Sequence, residues 1–307
     1  MRLRHLTFLL SLSAASSVLF AQPTRVWLSG TGDDANATGS SPCSRTLPCK
    51  TIATGVSTVA DGGEVDLIDS GGFGAATITK NVSVMAFGVT GGVLVAGGNG
   101  IVVNNTSGSP INVVLRGLDF NGVSGGSTAL RVLGSSPVNL QLENSRIYGF
   151  TNGVNVTTSS SVSMVISNSH ISDCLTNGTG ITADATGGAV SIAVIGSQVH
   201  NCATGVNVAG GAKINIKNSN LSQNTTGVNI FDGTSAALLD SDIIAACTTA
   251  VNIAASGGTA RLTNNTITDN TTGLLTVAGG NMISFGNNRM KGNTTTNGVP
   301  TSNLTQN

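Results

Sequence analysis

LENSRIYGFTNGVNV at residues 142–156 and ISNSHISDCLTNGTGITA at 166–183 are two copies of one pattern. Each opens with an apolar residue and, after four polar residues that include an Asn-Ser pair, a second apolar residue. A few residues on, each closes with Gly, an apolar residue, any residue and a further small or apolar one. The first half recurs as VIGSQV at 194, IKNSNL at 216, LLDSDI at 238 and LTNNTI at 262. The second half recurs as GIVV at 100, ALRV at 129, GVNV at 205, GVNI at 227, AVNI at 250 and GLLT at 273, with spacings of 22 to 29 residues. Short period-two strands punctuated by Gly, Asn and Ser at so regular a spacing mark a solenoid rather than a sandwich. Leucine-rich repeats share the period but need a dense Leu consensus and a helical turn in each unit, which these units lack. The unit suits an all-β parallel β-helix of about ten rungs, one circuit per rung, with rungs ~4.8 Å apart.

The inward columns follow from the repeat. One apolar stack is expected through Phe120, Ile147, Ile171, Val199, Leu221, Ile243, Ile267 and Met290. A second is expected through Ile101, Leu130, Val154, Ile181, Val206, Val228, Val251 and Leu274. The polar pair predicts a ladder of Asn144, Asn168, Asn218, Asp240, Asn264 and Asn287, interrupted by Gly196, whose side chains satisfy backbone groups at a tight turn. Cys174, Cys202 and Cys247 take the turn position that Phe150, Asn224 and Asn270 hold in other rungs. Cys174 and Cys202 belong to consecutive rungs and come within reach of a bond, yet stacked buried thiols are the simpler reading of all three. Cys43 and Cys49 flank a Pro-bounded turn, SPCSRTLPCK, where a short-loop disulfide is expected.

The chain has 307 residues, 14 Lys+Arg against 14 Asp+Glu, only 9% charged residues, 3% aromatics and 41 Gly. Zero net charge without basic runs removes the electrostatic term of nucleic-acid binding, and scarce aromatics exclude a stacking platform for single strands. Low charge with ample hydropathy also excludes intrinsic disorder. Residues 1–21 read as a signal peptide: Arg2, Arg4 and His5 precede an apolar stretch from Leu6 to Phe20 and the small Ala21. That stretch is too short for a membrane span, so secreted or periplasmic protein with no span after cleavage is expected. Residues 22–63 form an N-terminal loop and cap, 64–292 the β-helix and 293–307 a polar tail. Within the cap, KTIATGVSTVA at 50–60 places Ile52, Val56 and Val59 at helical spacing, and the DGG that follows ends the helix.

The stretches VWLSGTGDDANATGSSPCSRTLPCKTI and GGEVDLIDSGGFGAATITKNVSVMA, followed by the NS-x-I and G-V-N-V units, resemble the secreted right-handed parallel β-helix proteins of the pectate-lyase-like superfamily. The resemblance spans nearly all of the chain beyond the signal. It implies the right-handed fold, in accord with the general hand of parallel crossovers, and leaves activity open among lyases, hydrolases, epimerases, adhesins and tailspikes.

Carboxylate chemistry is thinly supplied. A calcium lyase site needs several Asp on neighbouring rungs with a Lys or Arg base. Asp232, Asp240 and Asp242 beside Lys213 and Lys217 do not converge by rung geometry, and no metal or cofactor is expected. A glycosidase needs two carboxyls flanking the scissile bond, and Asp33 with Asp34, the one adjacent pair, sits in a Gly-rich turn that uses such side chains for its own amides. Thr pairs at 225, 248, 271 and 294 stack at a corner rather than alternating along a flat strand, so an ice-binding array is not expected. The best outward constellation flanks the Phe120 to Met290 stack. There Arg146, Tyr148, His170 and His200 share one face, with Asp119 placed for a cross-rung ion pair to Arg146 and the two His on a diagonal of about 8 Å. The expected function is non-catalytic binding of a polysaccharide, cell-surface glycan or other surface partner on this face. The alternative is a polysaccharide lyase or glycoside hydrolase using the same four residues, and the catalytic residues are unknown.

Overall fold

The computed structural model describes residues 21–304, so the expected signal, save Ala21, lies outside the described residues. The chain winds through about 9 turns of a parallel β-solenoid. Three faces carry its strands. The first is a twelve-stranded parallel sheet running from Arg25–Leu28 through Val138–Glu143, Val162–Ser167 and Val190–Ile195 to Asn281–Ser284 and Ser302–Asn303. The second carries short strands such as His170–Ser172, Gln198–His200 and Asn220–Ser222. On the third run Thr179–Ala185, Thr204–Ala209, Thr226–Ile230 and Thr249–Ile253. In the middle of the solenoid the long strands Leu118–Gly134 and Arg146–Thr158 cross from the second face to the third without a break.

The interior is built by alternation. On the third face Ile101, Leu130, Val154, Ile181, Val206, Val228, Val251 and Leu274 fall in register and are all buried. The stack of the second face differs from expectation in one rung. Leu221 pairs with Ile244, which is 0% exposed, while Ile243 is 47% exposed. LLDSDII reads equally well in two registers one residue apart, and a one-residue slip turns every side chain to the other side. The structure aligns Leu239 with Ile216 and Leu262, which puts Asp240 outside, beside Lys217 at 3.2 Å.

The same correction redraws the corner between the first and second faces. Its bend residue is left-handed in successive rungs: Gly117 (φ 72°), Asn144 (48°), Asn168 (48°), Gly196 (57°), Asn218 (52°), Ser241 (62°) and Asn264 (56°). Gly196 is therefore no interruption, because glycine enters this region most cheaply and Asn is among the few others that tolerate it. Asp240 does not belong to this column, and Ser241 does. The backbone groups are satisfied one position later, by the buried column Ser145, Ser169, Ser197, Ser219, Asp242 and Asn265. Each accepts the N–H of its counterpart one rung earlier: Ser145 N–H to Ser169 Oγ, Ser169 N–H to Ser197 Oγ and Ser197 N–H to Ser219 Oγ, each at 3.2 Å. The serines return a proton to their own strand, as Ser169 Oγ does to Ser167 O at 2.9 Å.

At the next corner the left-handed column is Asp173, Asn201, Gln223, Ala246 and Asp269, followed by the buried position that holds Cys202, Asn224, Cys247 and Asn270. Asn224 and Asn270 accept the N–H groups of Cys202 and Cys247 at 3.0 and 2.9 Å. Cys174 and Cys202, read from sequence as stacked thiols, are instead disulfide-bonded, with Cα atoms 4.8 Å apart. Parallel register brings consecutive-rung Cα atoms within the range a cystine bridges, so nothing has to move. Cys43 and Cys49 are bonded as well, and Cys247 is free and buried.

The N-terminal end is closed by the helix Ile52–Thr58, whose N-cap Thr51 accepts the Thr54 N–H. Ile52 and Val56 face the core, and a Cβ at Gly55 would stand 2.8 Å from Val65 Cγ1, so only glycine lets the helix lie this close. The solenoid starts before residue 64, because Arg25–Leu28 already pairs in register with Gly63–Leu67. Ser302 and Asn303, in the polar tail, pair with Ile283 and Ser284.

Candidate functional site

Two outward columns run along the second face. One passes through Gly92, Asp119, Arg146, His170, Gln198, Asn220 and Ile243, the other through Leu94, Asn121, Tyr148, Ser172, His200, Ser222 and Ala245. The structure brings Arg146, Tyr148, His170 and His200 onto adjoining rungs of this face. The Arg146 guanidinium carbon lies 4.4 Å from the centroid of the Tyr148 ring. Among the described ion pairs there is none between Arg146 and Asp119. Residues i and i+2 of one strand point the same way, so the stem of Arg146 reaches the Tyr148 ring and the cation rests on its π-face instead. Burial, then the charge of Asp119, pushes the Tyr148 hydroxyl above the usual phenol value.

His170 and His200 close the diagonal between the columns. Their Nε2 atoms are in hydrogen-bond contact and their ring centroids 4.6 Å apart. One Nε2 must act as a bare acceptor in such a contact, so at least one of the rings is neutral. Burial, His200 and Arg146 together hold His170 below the usual imidazole value, against the opposing charge of Asp173. Asp173 sits behind the pair. Its oxygens accept Asn201 Nδ2 at 3.0 Å and Ser172 Oγ at 2.9 Å, and these bonds keep its carboxyl below the usual range. Sequence reasoning missed Asp173 because it occupies a left-handed corner outside both columns.

Beside Tyr148 a groove of about 390 Å³ opens toward the N-terminal rungs. Asp119 and Asn121 form one side of it, with Leu94 beyond. Its floor is bare backbone at Gly71 and Gly92, because a Cβ on Gly92 would stand 2.7 Å from the Gly71 carbonyl oxygen.

The carboxylates weighed from sequence are used by the fold. Asp33 accepts the Ala35 N–H, and Asp34 accepts the N–H groups of Lys50 and Thr51. Asp232 holds a turn through Thr234 and Ser235, Asp240 meets Lys217, and Asp242 lies in the core. A pair that the sequence reading passed over is Glu64 and Asp66 on the first face. Two positions apart on one strand, they share Arg25 at 2.7 and 3.3 Å. Burial, then Glu64, pushes Asp66 up to about 6 despite that arginine. Strand alternation was the signal that could have found them. No group of three or more His, Cys, Asp or Glu gathers to hold a metal among the described residues.

A family described as the right handed beta helix region matches residues 152–303. The chain has the right-handed parallel β-helix fold that this family describes. Among solved structures this β-helix is similar to an alginate lyase from Paenibacillus sp. str. FPU-7, at 14% identity, TM-score 0.57, 92% of this chain and 100% of that one. It is also similar to a lacto-N-biosidase from Eubacterium ramulus, at 9% identity, TM-score 0.52, 92% of this chain and 67% of that one. At such identities the likeness concerns the fold alone. No curated protein matches the β-helix by sequence. Among the described residues no helix is long and apolar enough to cross a membrane.

Proposed function

We propose that this β-helix is an exported protein that binds an uncharged stretch of polysaccharide or cell-surface glycan along its second face, without cleaving it. The observation that carries the reading is the Tyr148 ring, steadied by Arg146 at 4.4 Å and lining a groove floored by glycine backbone. An aromatic face beside a shallow, mostly apolar trough is suited to stacking a sugar ring, while Asn121 on its wall offers a donor and an acceptor to the hydroxyls and His170 stands on the next rung, beside Arg146. Asp119 is the one carboxylate lining the groove, and hydrolysis calls for a flanking pair. Export is supported by the leader-like residues 1–21 and by two cystines, which persist in oxidising compartments.

The second reading, a polysaccharide lyase or hydrolase, draws on His170, which its surroundings favour in the neutral, base-competent form. A glycan array combined with a uronate-release assay separates the two. Binding without turnover, lost in the triple change of Tyr148, His170 and His200 to Ala at unchanged melting temperature, supports the first. Binding that survives the triple change overturns the site. Turnover in the parent that disappears in His170→Ala with binding retained favours the enzyme.

A further inference from the structure

Phe87 is 58% exposed, whereas Phe73, Phe120 and Phe150 are fully buried. It follows the strand Val82–Ala86, at the corner where the chain leaves the first face. Arg116, one rung on, places its guanidinium carbon 5.0 Å from the Phe87 ring centroid, and its Nε lies 3.7 Å from Oε2 of Glu143 on the rung after that. Ring, guanidinium and carboxylate thus stand on three successive rungs. The cation fixes the ring, and the carboxylate leaves the cluster without net charge.

Beside this cluster opens a pocket of about 470 Å³, lined by Phe87, Arg116, Asn144, Ser70 and Thr90. Ser70 and Thr90 also line the Tyr148 groove. The two hollows therefore adjoin at Ser70 and Thr90 around a corner of the solenoid, with an aromatic ring in the lining of each. Phe87 and Tyr148 sit two rungs apart, ~10 Å along the axis.

We propose that Phe87 and Arg116 form a second sugar subsite, so that the ligand is an uncharged oligosaccharide long enough to engage both rings. The inference rests on the reading of the Tyr148 groove. An exposed ring held by a neutralised guanidinium supplies an apolar face for a pyranose, and the guanidinium N–H groups not aimed at Glu143 supply donors for its hydroxyls. Ser70 and Thr90 lie between the two platforms with hydroxyls of their own.

The test is calorimetric titration of the full chain with cello-, xylo- and chito-oligosaccharides of two to six sugars. Affinity in the parent is expected to rise with length. Phe87→Ala is expected to weaken the six-sugar ligand about tenfold and leave the two-sugar ligand nearly unchanged, with melting unaffected because the ring fills no core. Phe87→Trp should retain the length dependence, and Tyr148→Ala should weaken every length. If Tyr148→Ala weakens binding while Phe87→Ala alters no length, the second subsite is overturned and the groove stands. If no oligosaccharide binds the parent, the groove reading fails and the subsite falls with it.

Discussion

The Ser219 N–H donates to Asp242 Oδ1 at 2.8 Å, and the other oxygen of that carboxyl, Oδ2, is buried with no hydrogen-bond partner. Every neighbour in this column both accepts and donates. Ser219 Oγ donates to Lys217 O at 3.0 Å, and Asn265 Nδ2 donates to Leu239 O at 2.9 Å. An ionised Asp only accepts, so this position suits Asp242 as a neutral acid whose O–H takes the donor's part. Burial pushes it up to about 7.

The proton held by Asp242 links stability to pH. Because its folded value lies above the ordinary one, its contribution is present in full below about pH 4 and is lost as pH rises through about 7, a difference of about 4 kcal/mol. Asn occupies the same position in the next rung, so Asp242→Asn should fit without strain. The variant is expected to melt above the parent near pH 8 and close to it near pH 4. Thermal unfolding across that range checks this, and equal melting near pH 8 would show that the buried carboxyl costs the fold nothing.

The register at residues 238–244 is tested by a pair of substitutions. Ile244→Asp places an unpaired carboxylate in the dry stack and should cost several kcal/mol, whereas Ile243→Asp, on the outer surface, should stay within about 0.5 kcal/mol. Denaturant melts of both distinguish the two registers. The reverse order would restore the register in which Ile243 points inward.

The inward stack of the third face was legible because Val154, Ile181, Val206 and Val228 each recur directly behind a Gly. Where two apolar residues stand side by side, as Leu238 with Leu239 and Ile243 with Ile244, pattern alone does not fix the register, and the left-handed backbone of Ser241 and the Asp240 to Lys217 pair settle it. The face shared by Arg146, Tyr148, His170 and His200 followed from alternation. Their contacts did not, because side-chain reach decides that Arg146 lies on Tyr148 rather than beside Asp119, and that the two imidazoles meet across the diagonal. Phe87 carried no signal in the repeat, since its partner Arg116 belongs to another rung.

The cysteines make a third prediction. Alkylation in the absence of reductant should leave Cys43, Cys49, Cys174 and Cys202 unlabelled, and Cys247 labelled only in denaturant, since burial both hides its thiol and pushes it above the usual value. Cys174 and Cys202 are 28 residues apart, a loop whose closure is worth about 3 to 4 kcal/mol on the chain-entropy account. Replacing both with Ser should lower stability by roughly that amount. Native labelling of Cys174 would return it to the stacked-thiol reading.

The histidine pair gives the final prediction, and its pH dependence runs against that of Asp242. His170 is held below the usual imidazole value chiefly by burial, then by His200 and Arg146. A group with a depressed folded value contributes stability that is present above its unfolded value of about 6.5 and is lost as pH falls through the folded one. In the parent this loss on acidification is masked by the gain from Asp242. Asp66, held at about 6, gains in the same direction, so only in the double change Asp242→Asn with Asp66→Asn is the mask gone; there melting should fall between about pH 7 and pH 5, and adding His170→Ala should flatten that fall. The His170 Hε1 resonance should titrate with a midpoint below that of a free imidazole. Adding a second proton would leave both Nε2 atoms as donors and break the contact, placing a cation beside Arg146. Glycan affinity should therefore weaken over the same acid range, and a midpoint at or above the free value, with affinity constant across it, would mean that the two rings do not share a proton.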